Sequence, residues 1–470
     1  MDYATSVLER TEIEFQKYDW DTLDHEGFNK RNDYCFIFSY PPVRTLQPIS
    51  EDDLFVPSAY GNLEEPTSLY LHIPYCTGIC SYCYFAKVLD NQRAPVLRKD
   101  YPGTLCFELD RILTRARANP PISSVHFGGG TPSTLSPTEL GEVMAMIKSL
   151  RLLPDAEITL ECAPETIEAE PDKLKAMRDL GINRLNLGVE SLDDEVLRIM
   201  GRRHRSDATL KVLDMMFDAG FENINTDLIY DLPGQTLRSW IDTLTMLEGR
   251  GVHSISTYRL RKHPRKKISK LMPDRYPPYQ EGLRMQLAHG IIMEDAGFVR
   301  SSSHKYARGE TKLQVQVEKK RGVEQNQLIS LGCGAYGFIN GTFYWNTKSL
   351  SEYGAAIADK RLPVWIGQVL DEEELMRKTL VMGMHTNRGV SIEGFQHRYG
   401  QHPRQRFGET IEHLESLGVF EEVDGHLRPS RLGRFFSDEI SVAFYSPTVR
   451  DTLGAVGMKY GMFFENDKYA

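Results

Sequence analysis

No stretch of the chain approaches the ~20 consecutive apolar residues that a helix needs to cross a bilayer, so no membrane span is expected. The N-terminus, MDYATSVLERTEIEFQKYDWD, lacks both a basic start and an apolar run, which argues against a secretory signal. Positive charge is in deficit: 56 Lys and Arg against 65 Asp and Glu leave a net charge of −9. A mildly acidic surface does not hold nucleic acid over a broad area, although a local basic patch can still take an anion. Internal repeats and low-complexity segments are lacking too. Cysteine is scarce, and the total of seven is odd. Together these features point to a cytoplasmic, reducing compartment. There, clustered cysteines bind metal or do redox work more often than they form disulfides.

What is present is an ordinary globular composition, 41% hydrophobic and 26% charged, over 470 residues. That length allows two or three domains, or one large α/β domain with attachments. Residues 1–60 show no clear period and carry turn signals (YPPVRTLQPISEDD), as expected of a segment that wraps onto the main body. From about 66 to 260, short β-rich runs alternate with helical stretches. SLYLHIP, SSVHFGG (123–129), EITLECA (157–163), RLNLGV (184–189), NINTDLIY (223–230) and SISTYRL (254–260) read as strands. SPTELGEVMAMIKSL, PDKLKAMRDLG, DDEVLRIMG, SDATLKVLDMMFDAG and TLRSWIDTLTMLEGRG read as helices, several closing on a glycine C-cap. Six strands separated by helices imply a parallel sheet, because parallel strands need a crossover. Curled on itself, such a unit is a barrel or part of one, with its chemistry at the C-terminal ends of the strands.

The alternation breaks at 260–330, which carries the basic run RLRKHPRKK and the polar stretch RGETKLQVQVEKKRGVEQNQ. LISLGCGAYGFINGTFYWN (328–346) returns to strand and turn. Within 366–440, helices DEEELMRKTLVMGMH, SIEGFQHRYG and FGETIEHLESLG precede VFEEVDGHLRPS, a hairpin turning at Asp424–Gly425. Three helices and a hairpin resemble a winged helix. The last of the three helices is acidic, which opposes phosphate contact. Residues 441–470 form a docked or frayed tail. The expected division is thus a wrapping segment (1–60), a main body (61–365) with an insertion at 260–330, the winged-helix-like unit and the tail.

Three of the seven cysteines, Cys76, Cys80 and Cys83, fall within eight residues after the first strand, in LHIPYCTGICSYCYFAK. Cys35, Cys106, Cys162 and Cys333 are scattered and read as small core residues. Structural zinc usually takes four protein ligands, typically in two separated pairs, and no second pair exists here. His72 is the available fourth ligand for a zinc reading. Three thiolates on one tight loop also suit a [4Fe–4S] cubane, holding three irons and leaving the fourth open.

C-x3-C-x2-C followed closely by an aromatic, Phe85, resembles the signature of the radical S-adenosylmethionine (SAM) superfamily. The chain is further similar to the oxygen-independent coproporphyrinogen III oxidase group in LYLHIPYC, HFGGGTPSTL, LECAPETI, RLNLGVESLDDEVLRIMGRRH and DLIYDLPGQT. That group holds the oxidase, haem chaperones, and radical methyltransferases or cyclopropanases. The resemblance implies a partial (β/α)6 barrel with a helical C-terminal domain. It also implies a [4Fe–4S] cluster on Cys76, Cys80 and Cys83, and a SAM that chelates the open iron. One electron then releases a 5′-deoxyadenosyl radical, which takes hydrogen from a small-molecule substrate. A one-electron donor such as flavodoxin or ferredoxin is implied as a partner; neither a membrane nor a nucleic acid is.

By the same resemblance, Tyr70, Gly129 and Glu161 contact the SAM that is cleaved. Tyr82, Gly130, Thr131, Glu190, Arg202 and Asp227 match positions that hold a second SAM. The chemistry of these residues agrees. Gly128, Gly129 and Gly130 let backbone approach a ligand closely, so that their N–H and C=O groups can grip SAM. Glu161 ends a strand and can accept hydrogen bonds. Arg202 can pair bidentately with a carboxylate, and Asp227 can accept from a ribose or an ammonium. Glu190 stands where the oxidase has an amide side chain.

Two departures bear on the branch. The oxidase carries a further cysteine at the place of Phe85. The haem chaperone's HNxxYW-like segment is missing from LQVQVEKKRGVEQNQ. Methyl or methylene transfer from a second SAM to an unsaturated small molecule is therefore the favoured expectation. Oxidative decarboxylation of a porphyrinogen-like propionate and haem chaperoning are the alternatives. The run Arg259–Lys267 is expected to be a solvated loop, with a carboxylate or phosphate clamp as the second reading and a nucleic-acid contact as the last, since no aromatics interleave it. His304 falls near the region expected to face substrate and reads as structural.

Overall fold

The computed structural model describes residues 2–26, 28, 39–56, 63–90, 95–260, 266–270, 275–309, 312 and 327–455. The chain opens with α1 (Tyr3–Phe15) and α2 (Trp20–His25), then a two-residue strand β1 (Gln47–Pro48). Next comes β2 (Thr67–Ile73), which leads into the cysteine loop; the loop's ends pair as β3 (Tyr75–Cys76) and β4 (Val88–Leu89). After α3 (Pro95–Ala116) the expected alternation follows. It runs β5 (Ile122–Gly129), α4 (Pro137–Lys148), β6 (Leu152–Cys162), α5 (Pro164–Ala169), α6 (Lys173–Asp179), β7 (Arg184–Glu190), α7 (Asp194–Met200), α8 (Ser206–Asp218), β8 (Ile224–Tyr230), α9 (Leu237–Gly249) and β9 (Ser254–Arg259).

β2, β5, β6, β7, β8 and β9 lie side by side in that order, all parallel. This is the expected α/β fold, a partial (β/α)6 barrel. The structure extends it on both sides. α10 (Lys267–Lys270) and α11 (Tyr279–Asp295) lead to the hairpin β10 (Val299–Ser302)–β11 (Lys305–Ala307), which adds antiparallel to β9. At the other edge β12 (Leu328–Leu331) pairs parallel with β2, and β13 (Tyr336–Ile339), β14 (Thr342–Asn346) and β15 (Val364–Val369) continue antiparallel. The helix α11 is absent from the expectation for 260–330. Its buried Leu283, Met285, Leu287, Ala288, Ile291, Ile292 and Met293 occupy most of its circumference, so the 3.6-residue period is blurred. The stretches 261–265 and 313–326 of the basic and polar runs lie outside the described residues.

Buried parallel sheets usually read as apolar runs on both faces. Here only one face is apolar. Leu69, Leu71, Val125, Phe127, Ile158, Leu160, Leu185, Leu187, Ile224, Leu228 and Ile255 pack with helix residues such as Leu109, Val143, Met216 and Leu244 in one core. The alternating positions carry polar side chains. Tyr70 lies opposite His126 and His126 opposite Thr159. Glu161 lies opposite Asn186, Asn186 opposite Asn225, and Asp227 opposite Ser256. The barrel's inner face is therefore polar, unlike the packed interior of a closed (β/α)8 barrel.

Towards the C-terminus lie α12 (Leu350–Ala358), α13 (Glu372–Gly383), α14 (Ile392–Tyr399) and α15 (Pro403–Ser416), then the small sheet of β16 (Val390–Ser391), β17 (Phe420–Val423) and β18 (His426–Pro429). The turn falls where the sequence places it: Asp424 and Gly425 have φ of 50° and 71°, the pair of positive angles a two-residue hairpin needs. Beyond it, α16 (Ser437–Ala443) and α17 (Pro447–Ala455) dock through Phe444, Tyr445, Val449 and Leu453 into a second core.

Glu108 of α3 is buried and ties the β12 edge to the barrel. It accepts hydrogen bonds from Gly332 N–H (2.8 Å), Asn346 Nδ2 (2.5 Å) and Tyr353 OH (2.9 Å). Burial pushes its carboxyl up to about 7, against the pull of those three donors.

Candidate functional site

The cysteine loop is held from three directions. Below it, the end of β5 supplies Gly130 N–H to Ile73 O and Thr131 N–H to Tyr75 O, both at 2.8 Å. On the far side, Val88 N–H donates to Pro74 O and Asp90 N–H to Cys76 O, again at 2.8 Å. The third support is the end of α7. There Gly201, with φ of 77°, reverses the chain as a left-handed cap. Ser81 donates both its N–H (3.1 Å) and its hydroxyl (2.7 Å) to Met200 O, an orphan carbonyl of that helix. Arg203 Nη1 donates to Thr77 O at 2.6 Å. The motif IMGRRH is thus a clamp on the loop.

The glycine triplet does something different from what its residue types suggest. The N–H groups of Gly130 and Thr131 are spent on the loop and are not left for a ligand. A Cβ on Gly130 would lie 2.8–2.9 Å from the backbone of Ile73, Pro74 and Tyr75. One on Gly129, where φ is +112°, would lie 2.7 Å from the His72 ring. The glycines first let two backbones meet; only their carbonyl side is left for a ligand.

The three thiols are electrostatic neighbours. Burial, the largest cause, pushes Cys76 up to about 11, and Cys83 and Cys80 add to the rise. Cys83 is raised by the same cause and held back by Lys87. A hydrogen bond with Thr131 opposes the rise at Cys76. These neutral thiols are poor ligands until a metal displaces their protons. Among the described residues no three His, Cys, Asp or Glu side chains converge on one ion. Three spread thiols with Thr131, Lys87 and Arg202 beside them fit a cubane, whose irons are separate points. His72 does not complete a zinc site. Its Nε2 lies 2.8 Å from Ala86 O, which can only accept, so that nitrogen carries the proton. Nδ1 then accepts from Tyr70 OH at 3.1 Å. Burial holds this imidazole below its usual range, hence neutral.

Around the loop the structure brings the expected residues together. Tyr70 stacks on His126, ring centroids 5.8 Å apart. His126 Nε2 lies 2.9 Å from Glu161 Oε1. Gly128 leaves the gap: a Cβ there would meet Tyr70, Glu161 and His126 at 2.9–3.1 Å. On the next strands a bulge between Gly188 and Glu190 breaks the register with β8 and re-aims Glu190, which has φ of 65°. A non-glycine residue held there costs ~1–3 kcal/mol, and such positions cluster at ligand sites. Arg202 Nη2 donates to Gly188 O at 2.8 Å and lies 3.7 Å from Glu190 Oε1. Its Nη1 donates to Cys80 Sγ at 3.4 Å. Tyr82 is electrostatically coupled to Glu190 and Arg202. Asp227 accepts from Asn225 Nδ2 at 2.8 Å, and burial raises its carboxyl to about 6, opposed by Lys305. Arg202 and Asp227 are both buried parts of this site.

Several residues of this site were not singled out in the sequence. His126 shares the inner face with Tyr70, which it pairs opposite, a signal that the motif HFGGG contains. His204, in GRRH, is buried with Nδ1 3.3 Å from Glu165 Oε2. Arg259 is corrected from solvated loop to buried ion pair: its Nε lies 2.9 Å from Asp231 Oδ2. His304 is buried, as a structural residue would be. Of the scattered cysteines, Cys162 and Cys333 are buried and Cys106 is half-buried; Cys35 lies outside the described residues.

Comparison with known proteins agrees with this geometry. Residues 70–247 match the radical SAM superfamily model and 370–436 the HemN C-terminal domain model. The haem chaperone HemW of Bacillus subtilis is 29% identical over 387 residues, 80% of this chain and 98% of that protein. The oxygen-independent coproporphyrinogen III oxidase of Bradyrhizobium diazoefficiens is 28% identical over 400 residues, 80% of this chain and 86% of that protein. The solved coproporphyrinogen III oxidase HemN of Escherichia coli superposes with a TM-score of 0.76 at 23% identity, over 87% of this chain and 96% of that one. With its three-cysteine loop at the C-terminal ends of the parallel strands, this chain carries a radical SAM superfamily domain over residues 70–247 and a HemN C-terminal domain over 370–436.

Proposed function

We propose that this chain is an enzyme that binds SAM at a cluster on Cys76, Cys80 and Cys83 and takes hydrogen from a small-molecule substrate at the barrel mouth. A [4Fe–4S] cluster there supplies one electron for reductive cleavage of SAM to a 5′-deoxyadenosyl radical. The observation that carries the reading is the docking of the cysteine loop at the end of a barrel whose inner face carries Tyr70, Glu161 and Asp227, with Arg202 reaching Cys80 Sγ and Thr131 bonded to Cys76. Glu161, oriented by His126, accepts from the ammonium of SAM. Tyr70 closes that side, its hydroxyl tied to His72. The carbonyl side of Gly129 completes the grip. The bulged Glu190, with Arg202, Tyr82, Gly130, Thr131 and Asp227, forms a second polar wall suited to another SAM or to the substrate.

The relatives described above are named as oxidases and a haem chaperone. That favours oxidative decarboxylation of a carboxylated substrate over the methyl or methylene transfer expected from Phe85. The second polar wall is the observation that keeps transfer as the second reading. Reduced, reconstituted protein incubated with methyl-deuterated SAM separates the outcomes. Unlabelled 5′-deoxyadenosine with CO2 release supports decarboxylation. Deuterium in the nucleoside supports transfer, since the hydrogen then came from a SAM methyl group. Haem retention without substrate-coupled SAM cleavage overturns both in favour of a chaperone.

A further inference from the structure

A cleft of about 500 Å³ lies away from the cysteine loop, where α1, α11, the β10–β11 hairpin and the segment before α16 meet. Its walls include Glu14, His289, Arg300, Ser303, Tyr306 and Arg434. Two guanidiniums that line it, Arg300 and Arg434, have no carboxylate at ion-pair distance among the described residues. Arg300 is pinned by its own turn, Nε donating to Ser302 O at 2.9 Å and Nη2 to Ser303 O at 3.2 Å. That leaves Nη1 unspent. Arg434 makes no side-chain hydrogen bond or ion pair with any described residue, and it also lines the neighbouring smaller cleft with Ser303 and Gln286. The acids nearby are engaged or at the rim: Glu14 pairs with Lys17 (2.7 Å) and Arg431 (3.3 Å), Asp438 shares the smaller cleft with Arg434 and lies 3.7 Å from His385 Nε2, Glu421 pairs with Arg428 (2.9 Å), and Glu294 is exposed.

His289 adds an independent sign. It is 2% exposed, and its Nε2 is buried with no hydrogen-bond partner. Its Nδ1 lies 3.1 Å from Thr257 Oγ1. When that hydroxyl donates, the ring proton sits on Nε2 and is left as an unmet donor in the cleft wall, a costly state. Two like charges with no carboxylate at ion-pair distance among the described residues, beside a buried imidazole nitrogen without a hydrogen-bond partner, describe a site with its anion missing from the protein itself.

We propose that Arg300, Arg434 and His289 form a binding site for a small oxyanion, a carboxylate or a phosphoryl group, at the junction of the barrel edge and the C-terminal domain. Charge-assisted bonds from paired guanidiniums suit both groups. Burial and the charge of Arg300 pull the Arg434 guanidinium below its usual range, and a bound anion reverses that strain. Because the two arginines come from the edge hairpin and the C-terminal domain, the anion links the two.

The test is thermal melting of reconstituted full-length protein titrated with inorganic phosphate or with glutarate, ionic strength held constant with KCl. A saturable rise in Tm of ~1–3 °C is expected with at least one anion, since a ligand of the folded state stabilises by mass action. Phosphate alone marks a phosphoryl site and glutarate alone a carboxylate site. Arg300→Gln and Arg434→Gln lose the rise, Arg434→Lys keeps part of it, and Glu294→Gln leaves it intact. Without anion, Arg434→Gln melts at or above the parent, having no partner to lose. No saturable rise with either anion, a rise that survives both glutamine variants, or a marked loss of stability in Arg434→Gln without anion overturns the proposal.

Discussion

Arg202 Nη1 lies 3.4 Å from the sulfur of Cys80, while Nη2 of the same side chain donates to Gly188 O at 2.8 Å. One guanidinium therefore joins the cysteine loop to the bulged end of β7. An N–H donor and a positive charge at a cluster sulfur favour the reduced state. Arg202→Gln is expected to retain iron, to shift the cluster potential to more negative values, and to slow SAM cleavage ~10–100-fold, the usual range for a group supporting a metal ligand. EPR-monitored redox titration checks the first part; an unchanged potential removes Arg202 from this role.

Each of Cys76→Ala, Cys80→Ala and Cys83→Ala should abolish 5′-deoxyadenosine formation and lower bound iron and sulfide. His72→Gln should leave the iron content at the parent level, because both imidazole nitrogens are already used by Tyr70 and Ala86. Anaerobic metal analysis decides; an iron-free His72→Gln protein would make the histidine a ligand after all.

Gly130→Ala forces a Cβ to within 2.8–2.9 Å of backbone that the loop needs. Overpacking of this kind costs ~1–3 kcal/mol. The loss should appear first as reduced cluster incorporation, because the atoms displaced belong to the residues leading into Cys76. Gly103→Ala, where a Cβ meets nothing within 4 Å, is the control. Equal iron loading in the two variants contradicts the assignment.

Glu108 makes stability depend on pH. Its folded carboxyl is raised from 4.5 to about 7, chiefly by burial. The protonated form is thus the one the fold prefers. That contribution is complete below pH 4.5 and is lost as pH rises through about 7, an effect of ~3 kcal/mol at most. Tm should fall between pH 5 and pH 8, and Glu108→Gln should flatten the fall. Parallel melting curves for parent and variant across that range would show that another group sets the slope.

Much of the site was legible because its parts are local. Cys76, Cys80 and Cys83 lie on one loop, and the strands and glycines around them carry their own short signals. The parallel order of six strands followed from their alternation with helices. What local signals do not carry is partnership. α11 escaped notice because it is apolar nearly all round, and Arg259 looked like part of a solvated basic run because its partner Asp231 is 28 residues away. The N–H groups of Gly130 and Thr131 looked free for a ligand because the sequence does not show that Ile73 and Tyr75 return to meet them.

The sequence by itself determined the chemistry this protein can host: three thiols at fixed spacing, and strands whose alternate residues are polar. Spacing and alternation are properties of the chain, set by bond lengths and the two-residue repeat of a strand. Only the tertiary structure decided which donors are already spent, which charges are paired, and which face the barrel turns inward. Those depend on contacts between segments far apart in the chain, where burial fixes protonation and brings Arg300 and Arg434 to the walls of one cleft.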